Sequence, residues 1–182
     1  KKALLQPFHP LNIVLKGQSS LTTLTRVESM AKSVALTGDY LFSGFYLNEL
    51  LVRLLAENIP APSLFQQYQQ SLLALAERQS IELVLREFES TLLDELGLTI
   101  DYSVLFEQNH PYYHYLPEQG LVPLAKPGKN ALASVHLEQI AQQQLDQSEV
   151  RQTYKILMRQ VFEHLLGGKP LNSRKLFKTR EK

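Results

Sequence analysis

The sequence predicts a mainly α-helical protein, in which a helical domain follows the last strands of a β domain and carries a small tyrosine-rich hairpin insertion. Three observations support this fold class. Apolar residues recur at helical spacing over most of residues 39–166, and they alternate at strand spacing only near the start of the chain. Prolines and glycines interrupt the helical pattern between residues 101 and 128. We therefore predict a β segment over residues 1–30 and a helical domain over residues 31–182.

The β segment is predicted to contain two strands. Leu11, Ile13 and Leu15 alternate with polar or smaller neighbours, residues 17–20 resemble a turn, and residues 21–27 are rich in threonine. Two strands are not stable alone. Because the sequence also has no initiator methionine, we expect it to begin inside a β domain whose earlier strands are missing.

The first helix is predicted to begin at Asp39 and to end before Pro60. Its residues are apolar on almost every face, which is typical of a central, buried helix. A second helix is expected over residues 63–79 with Ser63 as its N-cap, and a third follows Ser80 and is stopped by Gly97. These three helices are expected to make the core of the domain.

Residues 101–128 are predicted to form an insertion on the helical body, with a hairpin about Glu118 to Gly120. Helical spacing returns over residues 134–145 and again over residues 148–166, where Gly167 and Gly168 end the last helix. The remaining residues, 169–182, are strongly basic. We therefore expect five helices and one small hairpin.

Composition excludes several classes of protein. The chain has 182 residues and no cysteine, so it has no disulfide framework and no thiolate metal site. It contains no apolar run long enough for a membrane span, and its polar start does not resemble a signal peptide. We expect a cytoplasmic, nucleoid-associated protein that makes no membrane contact.

Charge is distributed unevenly along the chain. Residues 1–32 hold five basic and one acidic residue, residues 33–120 hold three and twelve, and residues 121–182 hold eleven and five. This segregation could arise by chance on helical surfaces, or it could mark a molecule with a polyanion-binding end. The second interpretation predicts DNA contacts at the basic termini.

The sequence offers no catalytic constellation. His110 and His114 could in principle share a metal, but Pro111 and the neighbouring tyrosines favour packing within a hairpin, and no third ligand is evident. The acidic pairs of the middle block resemble a solvated helix face, and no phosphate-binding or nucleophile motif occurs. We predict a protein that is not an enzyme and has no metal and no cofactor.

The segment over residues 167–177 combines apolar anchors with cations. Leu171, Leu176 and Phe177 can hold the segment against the core while its basic side chains point outward, which positions cations against phosphates without reading bases. An ordinary disordered basic tail is the alternative. The predicted DNA-binding residues are Lys169, Arg174, Lys175 and Lys178, together with Lys16 and Arg26 from the basic first block.

Three pieces of the sequence, in this order and spacing, resemble the RecO family of bacterial recombination mediators. They are Leu5-Gln6-Pro7-Phe8 with Pro10, then Tyr46-Leu47-Asn48-Glu49-Leu50-Leu51 with Arg53, and finally Gly167-Gly168-Lys169-Pro170-Leu171 with Ser173-Arg174 and Leu176-Phe177. The resemblance implies an N-terminal OB-fold barrel followed by a helical domain, so residues 1–30 would be the C-terminal part of that barrel.

The resemblance also implies a function. It implies binding of single- and double-stranded DNA, strand annealing, and cooperation with RecR in loading RecA onto DNA coated by single-strand-binding protein. Many relatives carry a four-cysteine zinc module in the region of residues 101–128, which this chain lacks. Zinc is therefore not carried over, and Tyr102, Phe106, Tyr112, Tyr113 and Tyr115 are expected to pack in its place.

A partner site is implied on the third helix. The resemblance places the acidic tail of single-strand-binding protein at Arg86, with Leu85 and Phe88 beside it. We expect Arg86 to lie at the edge of the apolar stripe with its guanidinium in solvent, or to pair with Glu82 one turn earlier. The alternative function is a helical protein-binding adaptor without intrinsic DNA binding, and the salt dependence of DNA binding separates the two.

Overall fold

Helices account for nearly half of the described residues, and two small sheets accompany them. The computed structural model describes residues 4–17 and 22–178, with the side chain of Lys178 excepted. Its elements are β1 (Leu11–Lys16), β2 (Thr23–Ser29), α1 (Gly38–Leu54), α2 (Pro62–Ala76), α3 (Ile81–Glu95), α4 (Val104–Glu107), β3 (Tyr112–Leu116), β4 (Gly120–Leu124), β5 (Leu132–Ala133), α5 (Ser134–Ala141), α6 (Ser148–Leu165) and α7 (Ser173–Lys178). The described chain is therefore a mixed α/β protein rather than the mainly α-helical one that the sequence predicted, and all of its helices lie within residues 31–182.

Strands β1 and β2 form an antiparallel ribbon. Their register runs from Leu11 opposite Ser29 to Lys16 opposite Thr23. The two predicted strands are confirmed, while most of the predicted turn lies outside the described residues. The apolar side chains of Ile13 and Leu15 remain largely exposed on this ribbon. Its membership in an OB-fold barrel stays a prediction.

Helix α1 is central, as its apolar composition predicts. Tyr46, Leu47 and Leu50 are buried, and the helix contacts α2, α3 and α7. The helix ends at Leu54 because the next residue takes up extended backbone. One flank is not covered, since Val52 is 83% exposed. The prediction that this helix is buried on almost every face was therefore too broad.

Helices α2 and α3 form an antiparallel pair beside α1. The prediction of Ser63 as an N-cap is wrong, because Pro62 occupies the first helical position and Ala61 becomes the cap residue. Proline suits that position since its missing amide hydrogen would have no helical partner there. Ser80 precedes α3 as predicted, and Gly97 follows it with a φ of 69°, which glycine adopts without strain.

The insertion contains the predicted hairpin and one further strand. Leu116 pairs with Gly120 at the turn between β3 and β4, and β5 pairs with the other edge of β3. The sheet order is β4-β3-β5, so the sheet extends past residue 128. Tyr113 and Leu121 are buried beneath it. The insertion is thus part of the core rather than an appendage.

Helix α6 completes the core. It contacts α3, α5 and β3, and its residues Val150, Leu157 and Phe162 are fully buried. Helix α5 ends at Ala141, earlier than predicted. The buried side chains form one continuous cluster, which also includes Phe8 from the segment before β1. One core therefore unites all the helices described so far.

Candidate nucleic-acid interface

The basic C-terminal segment is ordered against α1. Leu171 is buried in the core, and the ring of Phe177 packs edge-on against Phe42 with 5.5 Å between their centroids. These two anchors confirm the prediction for the segment. The third predicted anchor is wrong, because Leu176 is exposed on the outer side of α7. A short helix, which the sequence pattern did not predict, turns that residue away from the core.

Glu49 on α1 caps this short helix. Its carboxylate accepts hydrogen bonds from the backbone N–H of Asn172 at 2.9 Å, and from the backbone N–H and hydroxyl of Ser173 at 2.8 and 2.7 Å. Partial burial raises the pKa of Glu49, but the bonds from Ser173 and Asn172, with Arg53 nearby, bring it below its ordinary value. The carboxylate is thus held in its charged form by the segment it caps.

Arg53, one turn further along α1, holds the connection that precedes α7. Its guanidinium donates to the carbonyl oxygens of Leu166 at 3.2 Å, Lys169 at 3.2 Å and Pro170 at 3.3 Å. These carbonyls lie at and just after the C-terminus of α6, where helix oxygens lack intrahelical partners. A cation there also complements the helix dipole. Arg53 therefore binds three carbonyls of the loop between α6 and α7, in addition to the contacts made by Glu49 and Leu171.

Three of the four predicted cations of this segment are exposed in the described part of the chain. Lys169, Arg174 and Lys175 are all exposed. The Arg174 guanidinium carbon lies 6.0 Å from the centroid of the Tyr46 ring, and Lys175 Nζ donates to Asn172 Oδ1 at 3.0 Å. The side chain of Lys178 lies outside the described part of the chain. We call Lys169, Arg174 and Lys175 the terminal cations.

Lys16 and Arg26 lie elsewhere, on the β1–β2 ribbon. Both side chains are exposed, and Arg26 donates to Glu28 at 2.7 Å. They are carried by a different element from the terminal cations. Their inclusion in one DNA-binding surface stays a prediction.

The geometry expected for Arg86 is wrong. Arg86 is 7% exposed and donates to the carboxylate of Glu89, which is 0% exposed and also accepts a 2.5 Å hydrogen bond from the Tyr46 hydroxyl. Helix α3 packs against three other helices, α1, α2 and α6, and this packing buries residues at the edge of its apolar stripe. Phe88 is buried as well. In this conformation Arg86 and Phe88 present no surface to a peptide.

The alternative pairing of Arg86 with Glu82 is also wrong. Glu82 lies 3.4 Å from the guanidinium of Arg151 on α6 instead. Inside the protein, burial raises the pKa of Glu89, while Arg86, Tyr46 and the more distant Arg174 and Arg159 oppose that effect. Glu89 therefore links α3 to α1 through the Tyr46 hydroxyl, and the charge of Arg174 on α7 also lowers its pKa.

Three of the five aromatic side chains predicted to pack the insertion lie in or against the core. Tyr113 is buried and its hydroxyl donates to the carbonyl of Gln108, while Tyr102 and Tyr115 pack against the core. Phe106 was predicted to pack as well, but it is 71% exposed on α4. Within the described ranges, no three histidine or carboxylate side chains converge as a metal site.

Glu49 and Arg53 are the site residues that sequence reasoning did not single out. They appeared only within a family motif, as an acid and a base four residues apart on an apolar helix. A charged pair on a helix predicted to be buried is an unusual pattern, and it was the available signal. The backbone groups that Glu49 and Arg53 bind lie more than a hundred residues away in the sequence.

Residues 36–175 match the family described as Recombination protein O C terminal. Relatives described as DNA repair protein RecO include one from Tolumonas auensis, 40% identical over 97% of this chain and 76% of its own length. One from Pseudoalteromonas atlantica is 41% identical over 98% and 76%, and one from Pseudomonas putida is 41% identical over 98% and 80%.

These matches define a DNA repair and recombination protein with a helical C-terminal domain. The chain belongs to the RecO family of recombination mediators. No helix within residues 4–17 and 22–178 combines the length and apolarity that crossing a bilayer requires.

Proposed function

We propose that the protein is a DNA-binding recombination mediator that acts by binding rather than by bond-breaking chemistry. The observation that carries the proposal is the set of terminal cations, which are exposed on a segment that is hydrogen-bonded to Glu49 and Arg53 of α1. Cations fixed in one orientation contact phosphates with less loss of conformational entropy than cations on a flexible tail. The proposed ligands are single- and double-stranded DNA, which the protein would anneal.

The proposed partners follow from family membership. With RecR, the protein would help RecA to load onto DNA that is coated by single-strand-binding protein. The ribbon of β1 and β2 would belong to an OB-fold barrel, in which the exposed Ile13 and Leu15 would be covered. These assignments are proposals that rest on the family and on the two exposed apolar strands.

The experiment that tests DNA binding compares two quadruple variants by fluorescence anisotropy with a single-stranded oligonucleotide. One replaces Lys169, Arg174, Lys175 and Lys178 by alanine. The matched control removes the same charge from the rest of the chain, at Lys32, Lys126, Lys129 and Lys155. The first variant should lose affinity on every sequence tested, and its salt slope should fall by about 0.7 for each phosphate that it no longer binds. Equal losses in both variants would indicate an effect of net charge alone.

The adaptor alternative makes the opposite prediction for the unmodified protein. An adaptor without intrinsic DNA binding would show no saturable anisotropy change at any salt concentration. A mediator should bind with an affinity that falls steeply as salt rises, because phosphate contacts release counterions. The same titration therefore separates the two functions before any variant is made.

We also propose a new location for the tail of single-strand-binding protein, because Arg86 and Phe88 are covered. An apolar groove of about 520 Å³ between α1 and α2 is lined by Leu51, Val52, Leu64, Phe65 and other side chains. A groove of this size suits the aromatic ring of a phenylalanine-ended acidic tail. Phe65 is 61% exposed at its rim.

Phe65→Ser should weaken binding of a tail peptide by about tenfold, since burial of an aromatic side chain contributes roughly 1.5–3 kcal/mol. Phe106→Ser removes a phenylalanine of similar exposure, 71%, from α4 and serves as the control. If Phe65→Ser bound the peptide as the wild type does, the groove would not be the site. Retained binding in Phe106→Ser shows that the loss is local.

A further inference from the structure

We propose that Glu49 is a positioning residue for DNA, an acidic side chain whose loss weakens binding to a polyanion. The proposal rests on the proposed DNA-binding role of the terminal cations. It assigns to α1 the task of orienting those cations. Glu49 itself points toward backbone amides and contacts no phosphate in the proposed interface.

The C-terminal segment runs along a single stripe of α1. Successive contacts lie at helical spacing on that helix, and their partners follow in reverse order along the chain. The contacts are Phe42 with Phe177, Tyr46 with Arg174, Glu49 with Asn172 and Ser173, and Arg53 with the carbonyls of residues 166, 169 and 170. Helix α1 is therefore a template for the whole segment.

Helix α7 needs that template. It has six residues, and an isolated helix of that length is unstable because nucleation is costly. Its first backbone amides lack intrahelical acceptors. Glu49, on another helix, accepts hydrogen bonds from the backbone amides of Asn172 and Ser173 and a third from the Ser173 hydroxyl. Removal of the carboxylate leaves α7 without a charged N-terminal acceptor.

The orientation of Arg174 and Lys175 follows directly from this cap. Both lie in the first turn after Ser173, so their backbone directions are set where Glu49 binds. Without the cap, the two cations would populate many orientations and each phosphate contact would require ordering first. Phe177, which packs against Phe42, holds only the C-terminal end of α7.

A purely electrostatic role of Glu49 and a positioning role predict opposite effects of its replacement on DNA affinity. If Glu49 acted only through its charge, neutralising an acid close to the terminal cations would strengthen DNA binding. If Glu49 acts by positioning, the same change weakens it. The sign of the effect therefore decides between the two, independently of its size.

The experiment uses the full chain and a single-stranded oligonucleotide in an anisotropy titration. Glu49→Gln removes the charge and keeps the size of the side chain. Glu163→Gln makes the same change at an exposed site on α6, close to the segment in sequence. We expect Glu49→Gln to lose about threefold to tenfold in affinity with a shallower salt slope, and Glu163→Gln to bind at least as tightly as the wild type.

A second variant guards against a general loss of folding. Phe177→Ala releases the other end of α7 without changing the charge, and it should also weaken DNA binding. Thermal melts establish that both variants are folded. Hydrogen exchange at residues 172–178 should rise in each of them, a readout that charge alone would not move.

Two outcomes overturn the proposal. One is tighter binding by Glu49→Gln, as for Glu163→Gln, and the other is unchanged binding by Glu49→Gln, whatever the result for Phe177→Ala. If the terminal quadruple variant loses affinity in those cases, only the positioning role fails. If the quadruple variant binds as the wild type does, the proposed DNA-binding surface fails as well.

Discussion

Replacement of Arg86 by alanine tests the buried pair at the centre of the helical domain. The change removes the guanidinium and leaves the Glu89 carboxylate buried, with the Tyr46 hydroxyl as its remaining hydrogen-bond partner among the described residues. Loss of one member of a buried ion pair costs about 3–5 kcal/mol. Because Tyr46 still donates and Arg159 and Arg174 still act at longer range, we expect about 3 kcal/mol.

The stability that Arg86→Ala loses should depend on pH in a defined direction. Burial raises the pKa of Glu89, and Arg86 is the leading charge that opposes this, so the pKa rises further in Arg86→Ala. A carboxyl with a raised folded pKa keeps a proton that the unfolded chain has released, and stability then falls as pH rises above the ordinary carboxyl value. The variant should therefore lose more stability at pH 8 than at pH 5.

Urea denaturation of wild type and variant at both pH values measures this difference. Arg26→Ala is the control, because Arg26 forms an Arg–Glu pair that is exposed on both sides and contributes at most about 1 kcal/mol. Replacement of both Arg86 and Glu89 by leucine should recover much of the lost stability, since no charge is then left buried. A loss under about 1 kcal/mol in Arg86→Ala, equal at both pH values, would refute the reasoning.

Three further predictions concern the packing and the cap. Gly44→Ala would place a Cβ 2.7 Å from Phe8 Cζ, and it should cost about 1–3 kcal/mol in a urea titration, whereas Gly128→Ala meets no atom within 4 Å and should change little. Elemental analysis should find no stoichiometric zinc, and a chelator should leave the melting temperature unchanged, because Tyr113 and Leu121 pack the insertion; metal-dependent melting would contradict this. Since the pKa of Glu49 lies below its ordinary value of 4.5, its stabilisation of α7 should persist above that pH and be lost as pH falls through the lowered value. The amide NMR shifts of Asn172 and Ser173 should then titrate together, and a midpoint above 4.5 would exclude the cap.

Helical spacing predicted the helices whose buried stripe is regular. Val84, Phe88 and Leu92 recur on one face of α3 and are buried as expected. The same pattern placed Arg86 at the edge of that face, because spacing within one helix contains no information about how many neighbours cover it. Contacts with further helices bury a residue that would otherwise lie at the edge of the apolar face.

The capping of α7 lay beyond local sequence reasoning for a different reason. Six residues are too few to show a helical period. The acceptor for its amides is Glu49, more than a hundred positions earlier. Only the anchors Leu171 and Phe177 could be recognised, since apolar residues in a basic segment indicate burial wherever the partner lies.

Phe8 makes the segment before the ribbon a structural component of the helical domain. Its ring fills the space above Gly44 and packs 5.5 Å from the ring of Phe45, and its carbonyl accepts a hydrogen bond from Val34 at 2.9 Å. A shortened protein that began between β2 and α1 would lack Phe8 and expose the space above Gly44. Its free energy of unfolding should fall by about 3–5 kcal/mol, the usual cost of deleting a buried phenylalanine. Expression of the helical domain by itself therefore calls for retention of residues 4–10, supplied in the chain or as a separate peptide.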